Sequence, residues 1–301
     1  MIVLLITMLA AVGVLLLAWG LAAFYLAETL TRTKRSRVAG HPADLRLRND
    51  EIELFAADGV CLRGWYLESP GARATIVIVH DADGTRSDPE QGLLDLQRNY
   101  LRLGMNVLSF DLRGRGESEG DDDHLGAAEL ADVEAAVAYA RNRGQDFPLF
   151  LHGFGMGAAL ALIAATRHPE VAGVIADSPF ASMRSHLRRT HRQWPEPVFL
   201  LAAFIARRFF HADIGAVSPI EVIPDLRQPV LYIHAEDDPE VPVEHTLNLA
   251  AASLNPNDGV WITQAKAHCG SYLDDPTAYL EHCFGHINAL APVRRPLAPT
   301  R

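Results

Sequence analysis

Leu149-Phe150-Leu151-His152-Gly153-Phe154-Gly155-Met156-Gly157-Ala158-Ala159 is the stretch on which the reading of this chain turns. An apolar run of strand type leads into three glycines at alternate positions, and a segment rich in alanine and leucine with helical spacing follows as far as Arg167. Glycine enters backbone conformations that other residues avoid, and these three stand between the strand-like run and the helical one. The same alternation extends outward in both directions. Strands are expected over 74–80, 105–111, 171–177, 229–235 and 259–262, and helices over 89–103, 125–143, 155–167, 245–254 and 277–290. Residues 51–55 and 61–67 flank Asp58-Gly59 and predict a hairpin. Strands alternating with helices imply an α/β fold with a mainly parallel sheet and helices on both faces.

Composition bounds the function. The 301 residues are 49% hydrophobic and 21% charged, which excludes a mostly disordered chain. Lys plus Arg number 27 against 37 Asp plus Glu, a formal charge of −10, and phosphate contacts need a basic face, so a nucleic-acid partner is not expected. Three cysteines, Cys61, Cys269 and Cys283, are too few for a disulfide framework.

Residues 2–27 carry no charged side chain. As a helix they span roughly 39 Å, enough to cross a hydrocarbon core of about 30 Å with some tilt. Trp19 and Tyr25 lie near the far end, where aromatic rings favour the interface. A cleaved signal peptide would want a basic start, a shorter apolar core and a small-x-small cleavage site, and the run is long with nothing basic before it. Arg32, Lys34, Arg35 and Arg37 follow the run, which by the positive-inside rule places the rest of the chain in the cytoplasm. The expected organisation is a transmembrane anchor at 1–27, a basic juxtamembrane linker at 28–47, an α/β domain at 48–290 and a disordered tail at 291–301. The stretch 180–224 is too long for an ordinary connection between strands. It combines Arg184, Arg188, Arg189 and Arg192 with an apolar run over 198–206. It reads as a helical cap over the carboxyl edge of the sheet, with a plain core helix as the alternative.

In an open parallel sheet, ligands bind beyond the carboxyl ends of the strands. Three candidate segments sit there: 152–159, then His234-Ala235-Glu236-Asp237-Asp238-Pro239-Glu240-Val241-Pro242, then Ala265-Lys266-Ala267-His268-Cys269-Gly270-Ser271-Tyr272. With these segments in view the chain resembles the α/β-hydrolase superfamily, in its serine aminopeptidase-like, acyl-hydrolase branch, over roughly 48–290. Asp111-Leu112-Arg113-Gly114-Arg115-Gly116-Glu117-Ser118 resembles the family's D-x-R-G-x-G-x-S, and Asp177-Ser178-Pro179-Phe180 its D-S-P-F. The resemblance implies an α/β-hydrolase fold and serine-dependent hydrolysis of an ester, thioester or amide. It implies Asp238 as the acid and His268 as the base, in the chain order nucleophile, acid, histidine. Asp237 remains an alternative acid, and motif register favours Asp238.

Two positions depart from the pattern. Where the family's G-x-S-x-G has its serine, this chain has Gly155, and glycine has no hydroxyl to form an acyl-enzyme. The turn itself should survive, since glycine takes its strained conformation at little cost. Where the family has His-Gly after the third strand, this chain has His80-Asp81-Ala82-Asp83-Gly84. The oxyanion hole would be formed by the backbone amides of Met156 and Ala82. Carboxylates at 81 and 83 oppose a developing negative charge there unless both turn to solvent. Ser118, Ser178 and Ser271 lie on the correct edge as substitute nucleophiles, and Cys269 adjoins His268.

These residues support a catalytically impaired member that binds a small acyl or lipid-like ligand or a protein partner. They also allow an enzyme in which His268 and Asp238 act on water without a covalent step. No cofactor is expected, because the glycine triplet lacks the G-x-G-x-x-G spacing of a dinucleotide site. No metal site is expected either. Asp121-Asp122-Asp123-His124 reads as a solvated loop, His234 as a structural strand-end residue, and His282 and His286 as a surface pair.

Overall fold

The computed structural model of the protein describes residues 1–144 and 147–291. In chain order the elements are α1 (Ile2–Thr31), β1 (Asp50–Phe55), β2 (Cys61–Leu67), β3 (Ala74–Val79), α2 (Leu93–Arg102), β4 (Met105–Phe110) and α3 (Glu129–Arg143). Then follow β5 (Leu149–Phe154), α4 (Met156–Arg167), β6 (Val171–Asp177), α5 (Met183–Thr190), α6 (Glu196–Phe209) and α7 (Pro219–Val222). β7 (Val230–Ala235), α8 (Val243–Ala252), β8 (Gly259–Thr263), α9 (Ser271–Asp274) and α10 (Pro276–Leu290) complete the chain. The expectation of a disordered tail falls on residues 292–301, outside the described residues.

Eight strands form one sheet in the order β1-β2-β4-β3-β5-β6-β7-β8. β2 pairs antiparallel with β1 and β4, and every later pairing is parallel. The central strands are apolar throughout because both sheet faces are covered. In β3, Val77 and Val79 point into the core completed by α3, α4 and α8, whereas Ile76 and Ile78 point into the core completed by α2 and α10. Burying each such side chain contributes roughly 1.5–3 kcal/mol. α4 is buried along ten consecutive residues, which its run of small side chains permits.

The glycines of the deciding stretch have distinct tasks. A side chain at Gly157 would collide with the carbonyls of Val79 and His80, and one at Gly153 with the first turn of α4. Their absence lets α4 start hard against the ends of β3 and β5. Gly155 sits between them at φ +51°, in the left-handed region.

The N-terminal reading changes in one respect. α1 continues to Thr31 without a break, and Ala23, Leu26, Ala27, Leu30 and Thr31 are buried in the domain. The chain beyond it does not run as a loose linker. The Thr31 carbonyl accepts from the Asp123 amide at 3.0 Å. The Arg35 guanidinium donates to the carbonyls of Gly116, Ser118 and Gly120 at 3.1, 2.7 and 2.5 Å. The stretch 180–224 folds as α5 and α6 followed by the short α7.

Candidate functional site: an altered hydrolase centre

A cavity of about 570 Å³ opens at the carboxyl edge of the sheet. Its walls are the loops after β3 (Asp81 to Gly84), β7 (Pro239 to Val241) and β8 (Lys266 to His268), together with Met156 at the start of α4. Met183, His186 and Leu187 of α5 close it from above, so α5 acts as the cap expected from the sequence.

On one side of the mouth the acid and the histidine meet. His268 Nδ1 is 2.7 Å from Asp238 Oδ2. The other Asp238 oxygen accepts from the amides of Glu240 and Val241 at 2.8 and 2.9 Å, which fixes the carboxylate. Burial alone would raise the Asp238 pKa, but His268 and these amides hold it below the usual carboxylate value. Asp237 points outward and pairs with Lys266 at 2.5 Å. His234 is buried between Thr246 Oγ1 and the Val241 carbonyl, at 2.7 and 2.8 Å, as a structural side chain.

On the other side stands Asp81. A Cβ built on Gly155 would fall inside the Asp81 carboxylate, so that carboxylate occupies the volume of a residue-155 side chain. Asp81 Oδ1 accepts from the Met156 amide at 2.7 Å, and Oδ2 lies 3.4 Å from His268 Nε2. The Met156 amide expected to serve an oxyanion is therefore engaged by a resident anion, and the Ala82 amide also favours the charged form of Asp81. The two carboxylates do not both turn to solvent. Asp83 does, beside Lys34 at 3.5 Å, while Asp81 turns in.

The electrostatics follow from this geometry. Burial would raise the Asp81 pKa, but the hydrogen bond and charge of His268, with the two amides, bring it down to about 2. For His268, burial works against the charged ring. The carboxylates of Asp238 and Asp81 outweigh burial and push it above the ordinary imidazole range. The His268 ring stands between two carboxylates, an arrangement that favours its protonated form. The sequence carried a signal for this: a side chain gained at 81, where the family has glycine, and one lost at 155 belong to the same volume.

The other candidates lie elsewhere. Ser118 Oγ donates to the Asp111 carbonyl at 2.6 Å, Ser178 Oγ to Asp177 Oδ1 at 2.9 Å, and Ser271 Oγ is 3.0 Å from Thr263 Oγ1. All three hydroxyls are buried in structural bonds. The stretch 111–118 is a scaffold: Asp111 accepts from the amides of Arg86 and Glu117, and Arg113 is clamped by Asp132 and Asp58. Asp123 pairs with Arg115 at 2.5 Å, so the acidic loop 121–124 does not converge on one point. His282 stacks on Trp261 at 4.3 Å. Asp81, His268 and Cys269 each place one donor atom within 4.8 Å of the others. A cation there would have to displace the His268–Asp81 ion pair. Burial pushes the Cys269 thiol up, away from the thiolate form a metal needs.

A family model described as serine aminopeptidase, S33, matches residues 71–217, which include both Asp81 and Gly155. YfhR of Escherichia coli O157:H7 is 30% identical over 236 residues, covering 75% of each chain. The chain belongs to the α/β-hydrolase superfamily. YqkD of Bacillus subtilis strain 168 is 29% identical over 256 residues, 82% of each chain. Among solved structures, the Pyrococcus furiosus esterase Pf2001 superposes with a TM-score of 0.71 at 22% identity, over 86% of this chain and 99% of that one. The likeness to that esterase is one of fold. In this α/β hydrolase the turn between β5 and α4 is present, and its central residue is Gly155.

Proposed function

We propose that this α/β-hydrolase-fold protein is a membrane-anchored binding protein that does not hydrolyse acyl substrates by a serine mechanism. The observation that supports this reading is the Asp81 carboxylate in the volume of the missing nucleophile, bonded to the Met156 amide and facing His268. A general base must accept a proton at Nε2, and the Asp81 carboxylate that faces this nitrogen favours the protonated ring over one free to accept. The same arrangement weighs against His268 and Asp238 acting directly on water.

The cavity suggests the ligand's chemistry. Asp81, Asp83, Asp88, Glu90, Asp123 and Glu240 line it, together with the apolar Leu125, Phe180, Met183 and Val241, and they outnumber the cationic Lys266. Burial and the neighbouring carboxylates raise Glu240, so a positive charge nearby would relieve it. The ligand we propose has an apolar body and a cationic group. Octylammonium should bind and octanoate should not, as read by isothermal titration.

Anchoring by α1 is supported by its C-terminal part, since cleavage would strip Ala23, Leu26, Ala27 and Leu30 from the core. The basic flank and three free cysteines favour a domain in the cytoplasm.

The test is hydrolysis of p-nitrophenyl butyrate by the parent, Gly155→Ser, and the pair Gly155→Ser with Asp81→Gly. Serine alone collides with Asp81 and should stay near the parent rate. The pair should exceed the parent about 10³-fold, the order expected of a restored nucleophile and base. Parent turnover that disappears in His268→Ala would overturn the proposal.

A further inference from the structure

α1 divides into two parts. Residues 2–19 are exposed along their whole length, while from Gly20 onward one face of the helix is buried in the domain. Ala23, Leu26, Ala27 and Leu30 pack along Val198, Phe199, Ala202 and Ala206 of α6. An anchor made from the exposed part of α1 brings Gly20, where packing on the domain begins, to the bilayer boundary, and α6 packs beside the residues that follow. The Phe24 and Phe210 rings, 6.0 Å apart, put the end of α6 at that level.

The outer face of α6 suits this position. Leu200, Leu201 and Phe204 share one helical face by their spacing and are exposed, Phe204 by 61%. Phe209, 64% exposed, and the exposed Arg207 and Arg208 follow at its C-terminal end. Phe24 and Tyr25 of α1 continue the apolar, aromatic surface. Apolar and aromatic side chains bordered by arginines suit contact with the headgroup layer of an anionic membrane.

We propose that the C-terminal end of α6, from Phe204 to Phe209, is a second membrane-contacting element that reaches the headgroup layer beside α1; this rests on the reading of α1 as an anchor. The cavity's roof is tied to it. Arg188 of α5 pairs with Glu196 at 2.5 Å, and its guanidinium lies 5.4 Å from the centre of the Phe199 ring. The bilayer thus holds α6, and α6 holds the helix that closes the cavity.

The experiment uses the full chain in vesicles of phosphatidylcholine with a minority of phosphatidylglycerol. The native cysteines are buried, so single added cysteines can carry an environment-sensitive fluorophore. They are placed at Leu9→Cys on the free part of α1, Phe204→Cys on α6, and Leu254→Cys, an exposed position beyond α8. Nitroxide lipids should quench the Leu9 and Phe204 labels, the latter more strongly when the nitroxide is shallow, and should leave the Leu254 label unchanged. Quenching at Leu9 without quenching at Phe204 overturns the inference and leaves the anchor intact. No quenching at either overturns the anchor as well. A Phe204 label shielded in proportion to protein density, yet insensitive to nitroxide lipid, would assign the face to a second copy of the chain and also overturn the inference.

Discussion

The two sides of the cavity mouth use the same kind of loop and reach opposite chemical results. After β7 and β8, Asp238 and His268 hold the geometry of an acid orienting a base. After β3 and β5, a hydroxyl is missing and a carboxylate fills its place. A serine is neutral until it gives up its proton, so the histidine beside it stays free to take one. A carboxylate is already charged, and it favours the protonated form of the same histidine. The difference teaches that the protonation of the acid–histidine half depends on what faces it across the mouth.

The sharpest way to break this comparison is to restore the second side and then remove the first. In the Gly155→Ser, Asp81→Gly background, His268→Ala should lower ester turnover about 10²- to 10⁴-fold. An unchanged rate would mean the acquired activity does not pass through the histidine. In the parent, the expected effect of His268→Ala is on stability. It leaves the buried Asp238 and the mostly buried Asp81 facing each other without a cation, at a cost of about 2–4 kcal/mol in urea unfolding. Adding Asp81→Asn should recover part of that loss.

The pH dependence sharpens the same point. The Asp81 pKa is depressed to about 2, so its contribution is present above about pH 4 and lost as the pH falls toward 2. His268 is raised, so its contribution is complete below about pH 6.5 and is lost only as the pH rises through its elevated value. The stability difference between parent and Asp81→Asn should therefore be flat across neutral pH and close in acid. A smaller effect tests the helix pair that carries the roof. Ala27→Leu overfills a fully buried site between α1 and α6 and should cost about 1–3 kcal/mol. The smallest is Lys266→Ala, which removes an exposed, solvent-screened pair with Asp237 and should leave the urea unfolding midpoint unchanged.

Much of the fold was legible because buried parallel strands and their glycine-punctuated helices leave period and composition in the chain. β6 matches its expected bounds, and β3, β4 and β7 fall within a residue of theirs. The turn at Gly155 was legible from the resemblance to the family's nucleophile elbow, whose backbone conformation glycine tolerates. What was not legible came from contacts between distant segments. The charges of Arg32 to Arg37 suggested a solvated linker, because sequence does not say that Arg35 would find three carbonyls more than 80 residues away. The small residues Ala23 and Ala27, spaced one turn apart, were a sign of close helix packing hidden within an apolar run. Asp81 was noticed as an obstacle to an oxyanion. That it would serve as the resident anion depended on a volume shared by residues 81 and 155.

The unbroken passage of α1 from its exposed part into the core has a mechanical consequence. A domain on a floppy tether sweeps a hemisphere above its attachment point and presents its mouth in every direction. Here a single helix is both mast and core element, so with the mast fixed in a membrane the domain keeps one height and one tilt and turns only about the membrane normal. A molecule diffusing laterally in that plane would meet the cavity always at the same level, and its search would lose two of its three rotational dimensions before contact.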